Sequence, residues 1–190
     1  MLNKAQIKKL VEDKKLVEDF VDLETQLTSN GFDLTAGNIY EFSGPGALDF
    51  SNKERMLPET REIIPVKKIS QDHPEPEQSS VRGVAEYSSK ELRFGWWQLA
   101  RGIYKVKTNE TINMPNNLTA LAFTRTSILR MGAFTANGVW DAGFCGKSEF
   151  VLVVENPFGI RLKQNARVAQ MVFIGVEETE EYSGIYKNLK

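Results

Sequence analysis

Apolar positions near the start of the chain follow a helical period. Ile7, Leu10 and Val11 share one face of a helix over 3–13, and Asn3 with Gln6 three positions on has the form of a capping box. The hexapeptide Lys-Lys-Leu-Val-Glu-Asp occurs at 8–13 and again at 14–19, a period of six that suits neither a helix nor a solenoid. Its second copy leads through Leu16-Val17 to Phe20-Val21, which read as the start of a strand. From 86 onward the pattern turns β-rich, with apolar and β-branched runs at 103–106, 118–123, 150–154, 160–162 and 168–174. Turn signals separate them at Asn109-Glu110, Pro115-Asn116-Asn117, Asn137-Gly138, Asn156-Pro157-Phe158-Gly159 and Lys163-Gln164-Asn165. Short strands at this spacing predict a mainly β protein, a sandwich or barrel of jelly-roll type behind one short N-terminal helix. Elsewhere the pattern allows one short helix at 127–131.

Residues 44–80 break this rhythm. Five of the seven prolines (Pro45, Pro58, Pro65, Pro74 and Pro76) fall here among Gly, Ser, Glu and Gln. The segment reads as a long surface excursion, with one strand near 63–66. Trp96, Trp97 and Tyr104 are expected in the core or at a contact between copies.

Composition narrows the chemistry. A chain of 190 residues fits one domain with a sizeable core. Its formal charge of −1 supplies no global basic field for a long nucleic acid, whereas a compact anion such as a nucleotide needs only a local cluster. One cysteine (Cys145) and one histidine (His73) leave no intramolecular disulfide and too few ligands for a zinc site of the usual kind. That inventory excludes zinc-dependent base deamination. A nucleophile–histidine mechanism would rest on His73, in a Pro-rich polar loop. With no apolar run of membrane-spanning length and no signal-peptide core, a cytoplasmic location is expected.

Five segments carry candidate chemistry. Asn30-Gly31-Phe32-Asp33-Leu34-Thr35 is a turn with a carboxylate. Arg125-Thr126-Ser127-Ile128-Leu129-Arg130 sets two guanidinium groups about two hydroxyls, donors matched to phosphate oxygens. Gly138-Val139-Trp140-Asp141-Ala142-Gly143-Phe144 follows an Asn-Gly pair suited to a tight turn and aims one carboxylate. In Ala166-Arg167-Val168-Ala169-Gln170 a glutamine interrupts apolar sequence and must find a partner if buried. Tyr182-Ser183-Gly184-Ile185-Tyr186 stands close to the last residue, within an expected mobile tail at 180–190.

Taken in this order, the segments resemble the trimeric dUTPase and dCTP deaminase superfamily, and most closely its archaeal dUTPase branch. The resemblance implies a distorted jelly-roll β-barrel and hydrolysis of dUTP with Mg2+ as cofactor. It makes Asp141 the residue that activates water, and Arg125, Thr126, Ser127, Arg130 and Gln170 the phosphate holders. Thr135, Ala136, Asn137, Gly138 and Phe144 would take the base and deoxyribose, and Asp33 would lie near the phosphates, ordering the magnesium shell. Tyr182, Tyr186 and Lys187 belong to a tail that closes over the nucleotide. Homotrimers with active sites between subunits are implied as well. Three departures stand out: Thr126 where the family has Ser, Phe144 where many members have Tyr, and Lys187 where related tails carry Gln.

The same superfamily contains deaminases, which need a proton-shuttling glutamate ten residues after the hairpin aspartate, or three before the next asparagine. Those counts land on Val151 and Val153. Glu149 and Glu155 share the strand parity of the two valines but would lie roughly 6–7 Å along the strand from at least one of the expected positions. Hydrolysis is therefore the favoured reading, ahead of a dCTP-acting or bifunctional deaminase and of a nucleotide-binding regulator without turnover.

Overall fold

A computed structural model describes residues 1–66 and 94–187. His73, the excursion beyond 66 and the last three residues of the expected tail lie outside the described residues. Helix α1 (Lys4–Lys14) starts as its sequence predicts. Asn3 Oδ1 accepts from Gln6 N and Gln6 Oε1 accepts from Asn3 N, each at 3.0 Å. Lys15, in the left-handed conformation, ends the helix, and Ile7 and Val11 bury its inner face.

Strand β1 (Val17–Glu18) is only two residues long, so Phe20-Val21 does not extend it. Positive φ at Asp19 turns the chain away, and Asp22 then caps an unforeseen helix, α2 (Leu23–Gln26). Four residues are too few to leave a periodic signal. The strands that follow are β2 (Leu27–Thr28), β3 (Gly31–Phe42), β4 (Thr60–Glu62), β5 (Trp96–Leu99), β6 (Gly102–Asn113) and β7 (Leu118–Thr124). After helix α3 (Thr126–Arg130) come β8 (Ala133–Ala136), β9 (Cys145–Val154), β10 (Ile160–Lys163) and β11 (Arg167–Gly175).

One antiparallel sheet runs β7-β11-β3-β6-β9-β8, with β1 on β6 and both β2 and β4 on β3; β5 and β10 pair separately. Its two ends meet. Thr135 N donates to Thr124 Oγ1 at 2.8 Å, and Ala120 bridges to Trp140. The result is a nearly closed, distorted barrel of the expected jelly-roll type. Inward positions alternate along each strand, as Phe150, Leu152 and Val154 do on β9 and Met171 and Phe173 on β11. Trp97 and Tyr104 belong to this core, whereas Trp96 is half-buried with Arg161 over its ring.

Two local expectations need correction. The strand expected at 63–66 lies earlier, at Thr60–Glu62, and Val66 makes only a bridge to Trp96. Asn109-Glu110 is no turn, because β6 runs through it with a register irregularity between Lys107 and Thr111. Thr108 and Glu110 occupy inward positions there. The Glu110 carboxylate is fully buried and accepts from Gln26 Nε2 (2.7 Å), Thr35 N (3.0 Å) and Thr35 Oγ1 (2.5 Å). Burial pushes this carboxyl above its ordinary range, against the pull of those donors. Among the described residues no helix is long and apolar enough to cross a membrane.

Candidate active site

Between β8 and β9 the chain makes an eight-residue connection, 137–144, in place of a tight turn at Asn137-Gly138. Two anchors shape it. Trp140 exchanges backbone hydrogen bonds with Ala120, both at 3.0 Å, and its indole Nε1 donates to Ser148 Oγ at 2.7 Å. Four residues on, Phe144 N donates to Asp141 O at 3.1 Å, closing a turn whose third residue, Gly143, has φ +75°. Trp140 and Phe144 are buried, so the Asp141 side chain between them is presented outward.

Asp141 lines a cleft of about 410 Å³ together with Gly138, Trp140, Phe144, Tyr182 and Tyr186. Leu57, Pro58 and Thr60 of the excursion form another of its walls, a contribution that Pro/Gly content alone does not signal. Strands β6 and β9 add Lys105, Lys147, Glu149 and Val151. Lys105 Nζ sits 3.2 Å from Glu149 Oε2 and 4.8 Å from the centre of the Tyr40 ring. Lys147 Nζ donates to Asn109 O. Val151 stands on the cleft wall with no carboxylate, while Val153 pairs with Ile103 and Phe134. Glu149 does reach the cleft, tied to Lys105.

The tail lies over the same cleft. Tyr182 N donates to Ala142 O at 2.9 Å, and the Tyr182 and Phe144 rings are 5.8 Å apart. A Cβ on Gly143 would fall 2.4 Å from Glu181 Cγ, so the tail approaches more closely than any other residue type allows. Arg55 lies 6.0 Å from the centre of the Tyr186 ring. Lys187 pairs with Glu181 at 2.7 Å and is not part of the cleft wall.

The phosphate-holding candidates sit elsewhere. None of Arg125, Thr126, Ser127, Arg130 and Gln170 lines the cleft that contains Asp141. Arg125 opens α3 with its Nε 2.9 Å from Asp33 Oδ2 and its Nη1 donating to Arg167 O at 3.2 Å. Thr126, Ser127 and Arg130 are exposed on α3. Gln170, opposite Asp33 in the β3–β11 register, finds its partner in Thr28 Oγ1. Asp33 is buried; desolvation raises its carboxyl above the usual range, and the Arg125 and Arg167 guanidinium groups pull it back.

Of the base-binding candidates, Thr135 is buried against Thr124, and Ala136 is exposed at the end of β8. Asn137 Nδ2 donates to Thr135 Oγ1 at 3.1 Å, whereas its Oδ1 is the one buried side-chain N or O atom without a partner among the described residues. No group of three His, Cys, Asp or Glu residues suited to a metal ion occurs among the described residues.

Residues 95–176 match the family model described as dCTP deaminase-like. Over 188 residues the chain is 37% identical to a probable deoxyuridine 5'-triphosphate nucleotidohydrolase of Archaeoglobus fulgidus, covering 98% of this chain and 95% of that one. Its counterpart in Methanosarcina mazei is 39% identical over 191 residues, with 99% and 96% covered. A solved 2'-deoxycytidine 5'-triphosphate deaminase from Agrobacterium tumefaciens superposes with a TM-score of 0.57 at 16% identity, covering 90% of this chain and 47% of that one. This last likeness is one of fold. Identity of 37–39% to the two archaeal relatives over nearly the full length, on this barrel, makes the chain a member of the archaeal deoxyuridine 5'-triphosphate nucleotidohydrolase family within the dCTP deaminase-like group.

Proposed function

We propose that the protein hydrolyses dUTP to dUMP and diphosphate, supplying dUMP and keeping uracil out of DNA. The observation that carries this reading is the outward Asp141 carboxylate, fixed between two buried aromatics at the wall of a nucleotide-sized cleft. Asp141 accepts a proton from water as the water oxygen bonds to the α-phosphorus; the bond from that phosphorus to the bridging oxygen breaks, and diphosphate leaves. Charge building on the leaving group is met by Arg125, Arg130, Thr126, Ser127 and Gln170.

The unpartnered Asn137 Oδ1 is an acceptor suited to the N3–H of uracil, which cytosine lacks. Backbone groups near Gly138, with Thr135 and Ala136 behind them, complete the base contact. The Phe144 ring packs against deoxyribose and leaves no room for a 2'-hydroxyl. Tyr182 and Tyr186 cover the nucleotide, with Lys187 holding the tail through Glu181. Magnesium enters on the triphosphate oxygens as part of the substrate, since the described residues group no three carboxylate, histidine or cysteine ligands that would hold it.

The separation of the phosphate holders from Asp141 supports a homotrimer in which each site combines residues of neighbouring copies. An outward apolar strip supports it too, since Ile103 is 59% exposed, Phe134 is 41% exposed and both pair with Val153. Deamination of dCTP is the second reading, kept because Glu149 shares the cleft with Asp141.

Product chromatography after incubation with Mg2+ and either dUTP or dCTP tests the proposal, run on species separated by sedimentation. Trimer should convert dUTP to dUMP and diphosphate and leave dCTP untouched. Asp141→Asn should abolish turnover while retaining nucleotide binding. An active monomer, deaminated dCTP or an active Asp141→Asn variant would each refute the corresponding part.

A further inference from the structure

We propose that the hairpin at 43–59 is the dock for the chain's own tail, with Arg55 the positioning residue that seats Tyr186 at the edge of the Asp141 cleft. Only its consequence for turnover rests on the hydrolase reading above. Residues 43–59 join β3 to β4 and prolong their pairing. Ser43 N donates to Glu59 O at 2.9 Å, and Ala47 and Met56 exchange backbone bonds, both at 2.8 Å. Asp49 organises the tip, one carboxylate oxygen accepting from Ser51 N and the other from Glu54 N, each at 3.0 Å. Asn52, in the left-handed conformation, turns the chain between them. A segment that composition alone reads as loose surface chain thus returns Arg55 along a fixed path.

Arg55 is half-buried, and no carboxylate among the described residues pairs with its guanidinium, which lies 6.0 Å from the centre of the Tyr186 ring. The tail that brings the ring there is fastened in stages. Val176 N donates to Asn117 O at 3.0 Å, Thr179 N to Asn116 O at 3.2 Å and Tyr182 N to Ala142 O at 2.9 Å. Beyond Tyr182 the attachment passes to the hairpin. Tyr186 borders two spaces at once, the Asp141 cleft and a second cavity of about 420 Å³ walled by Gly46, Asn52, Arg55 and Met56. Leu57 and Pro58 border both as well, so ring and hairpin together form the partition between them. A guanidinium set against an aromatic ring at a partly open position should favour the docked tail roughly 2- to 30-fold. The excursion therefore decides how firmly the tail lies beside Asp141.

The test uses the full-length protein and two measurements, hydrogen exchange at the Tyr182 amide without nucleotide and the KM for dUTP with Mg2+. Arg55→Ala should speed exchange at Tyr182 by roughly 2- to 30-fold while the Tm of the barrel stays unchanged. Tyr186→Leu should match it, and Tyr186→Phe, which keeps the ring, should behave as the wild type. On the Tyr186→Leu background, Arg55→Ala should add nothing. The KM for dUTP should rise in Arg55→Ala by a factor similar to that in exchange.

Unchanged exchange at Tyr182 in Arg55→Ala, or losses that add in the double variant, would overturn the assignment. An unchanged KM would overturn the part in turnover, and a lower KM would replace it with a strap that obstructs the empty cleft. A wild type that hydrolyses no dUTP would remove the hydrolase reading and the KM measurement, whereas exchange at Tyr182 would still decide whether the hairpin docks the tail.

Discussion

Gly143→Ala should separate two quantities, strain in the Asp141 turn and attachment of the tail. At φ +75° an alanine carries a left-handed penalty of about 1–2 kcal/mol, and it remains in the turn whatever the tail does. For a chain of this size that corresponds to a fall in Tm of roughly 2–8 °C. The new Cβ would also lie 2.4 Å from Glu181 Cγ and 2.9 Å from both Glu181 Cα and Tyr182 N. Two of these neighbours are backbone atoms, so the tail must retreat by about an ångström to reach ordinary contact distance. That retreat breaks the 2.9 Å bond from Tyr182 N to Ala142 O and parts the Phe144 and Tyr182 rings. The bond contributes about 0.5–1.5 kcal/mol and the ring pair about the same again. Local opening at Tyr182 should thus become roughly 5- to 150-fold more frequent. Hydrogen exchange read at the Tyr182 amide, alongside a thermal melt, measures both effects. If exchange at Tyr182 is unchanged while Tm falls, the tail is not held by its close approach to Gly143.

Two further outcomes follow from buried or capped groups. Glu110→Gln sets an amide N–H against one of three donors, so it should destabilise by about 1–3 kcal/mol in urea melts. Because burial raises Glu110, the native chain takes up this proton first; its contribution is full below the unfolded value of about 4.3 and is lost as pH rises through the folded value. The stability gap between wild type and Glu110→Gln should consequently shrink from acid toward neutral pH, and a widening gap would contradict the assignment. Asn3→Ala removes the acceptor for Gln6 N and should cost about 1 kcal/mol, with full rescue by Asn3→Asp.

What the sequence made legible was local. The Asn3–Gln6 cap, the turn at Asn156-Pro157-Phe158-Gly159 and the β11 run involve neighbours within a few positions, where residue type and spacing suffice. The turn at Gly143 does not belong with them, because the Asn-Gly pair at 137–138 was the stronger turn signal, and the tail lying against Gly143 could not be foreseen. The Glu110 network was illegible because its partners Gln26 and Thr35 lie 84 and 75 positions away, and a carboxylate next to asparagine reads locally as a turn. The same holds for the excursion. Leu57, Pro58 and Thr60 have ordinary loop chemistry and acquire a place in the cleft only because β4 adds to β3. The motifs located the candidate residues but could not show how one chain divides them, with Asp141 in one cleft and the arginine cluster outside it.

Strand β9 illustrates how far spacing alone can carry a choice between two reactions. Counting positions put Val151 and Val153 where a deaminase needs glutamate, and the structure bears out one half of that argument: Val151 does stand in the cleft, without a carboxylate. The other half, the dismissal of Glu149 by distance along the strand, is too simple, since Glu149 shares the same cleft. What restrains Glu149 is chemical. Its carboxylate is held 3.2 Å from Lys105, whose ammonium is itself seated on Tyr40, so moving the acid toward a base would strand a half-buried cation. Hydrolysis makes no such demand, for Asp141 is exposed and unencumbered by any ion pair among the described residues. The preference for hydrolysis therefore rests less on which residue occupies one position than on which carboxylate of the cleft is already paired with a cation.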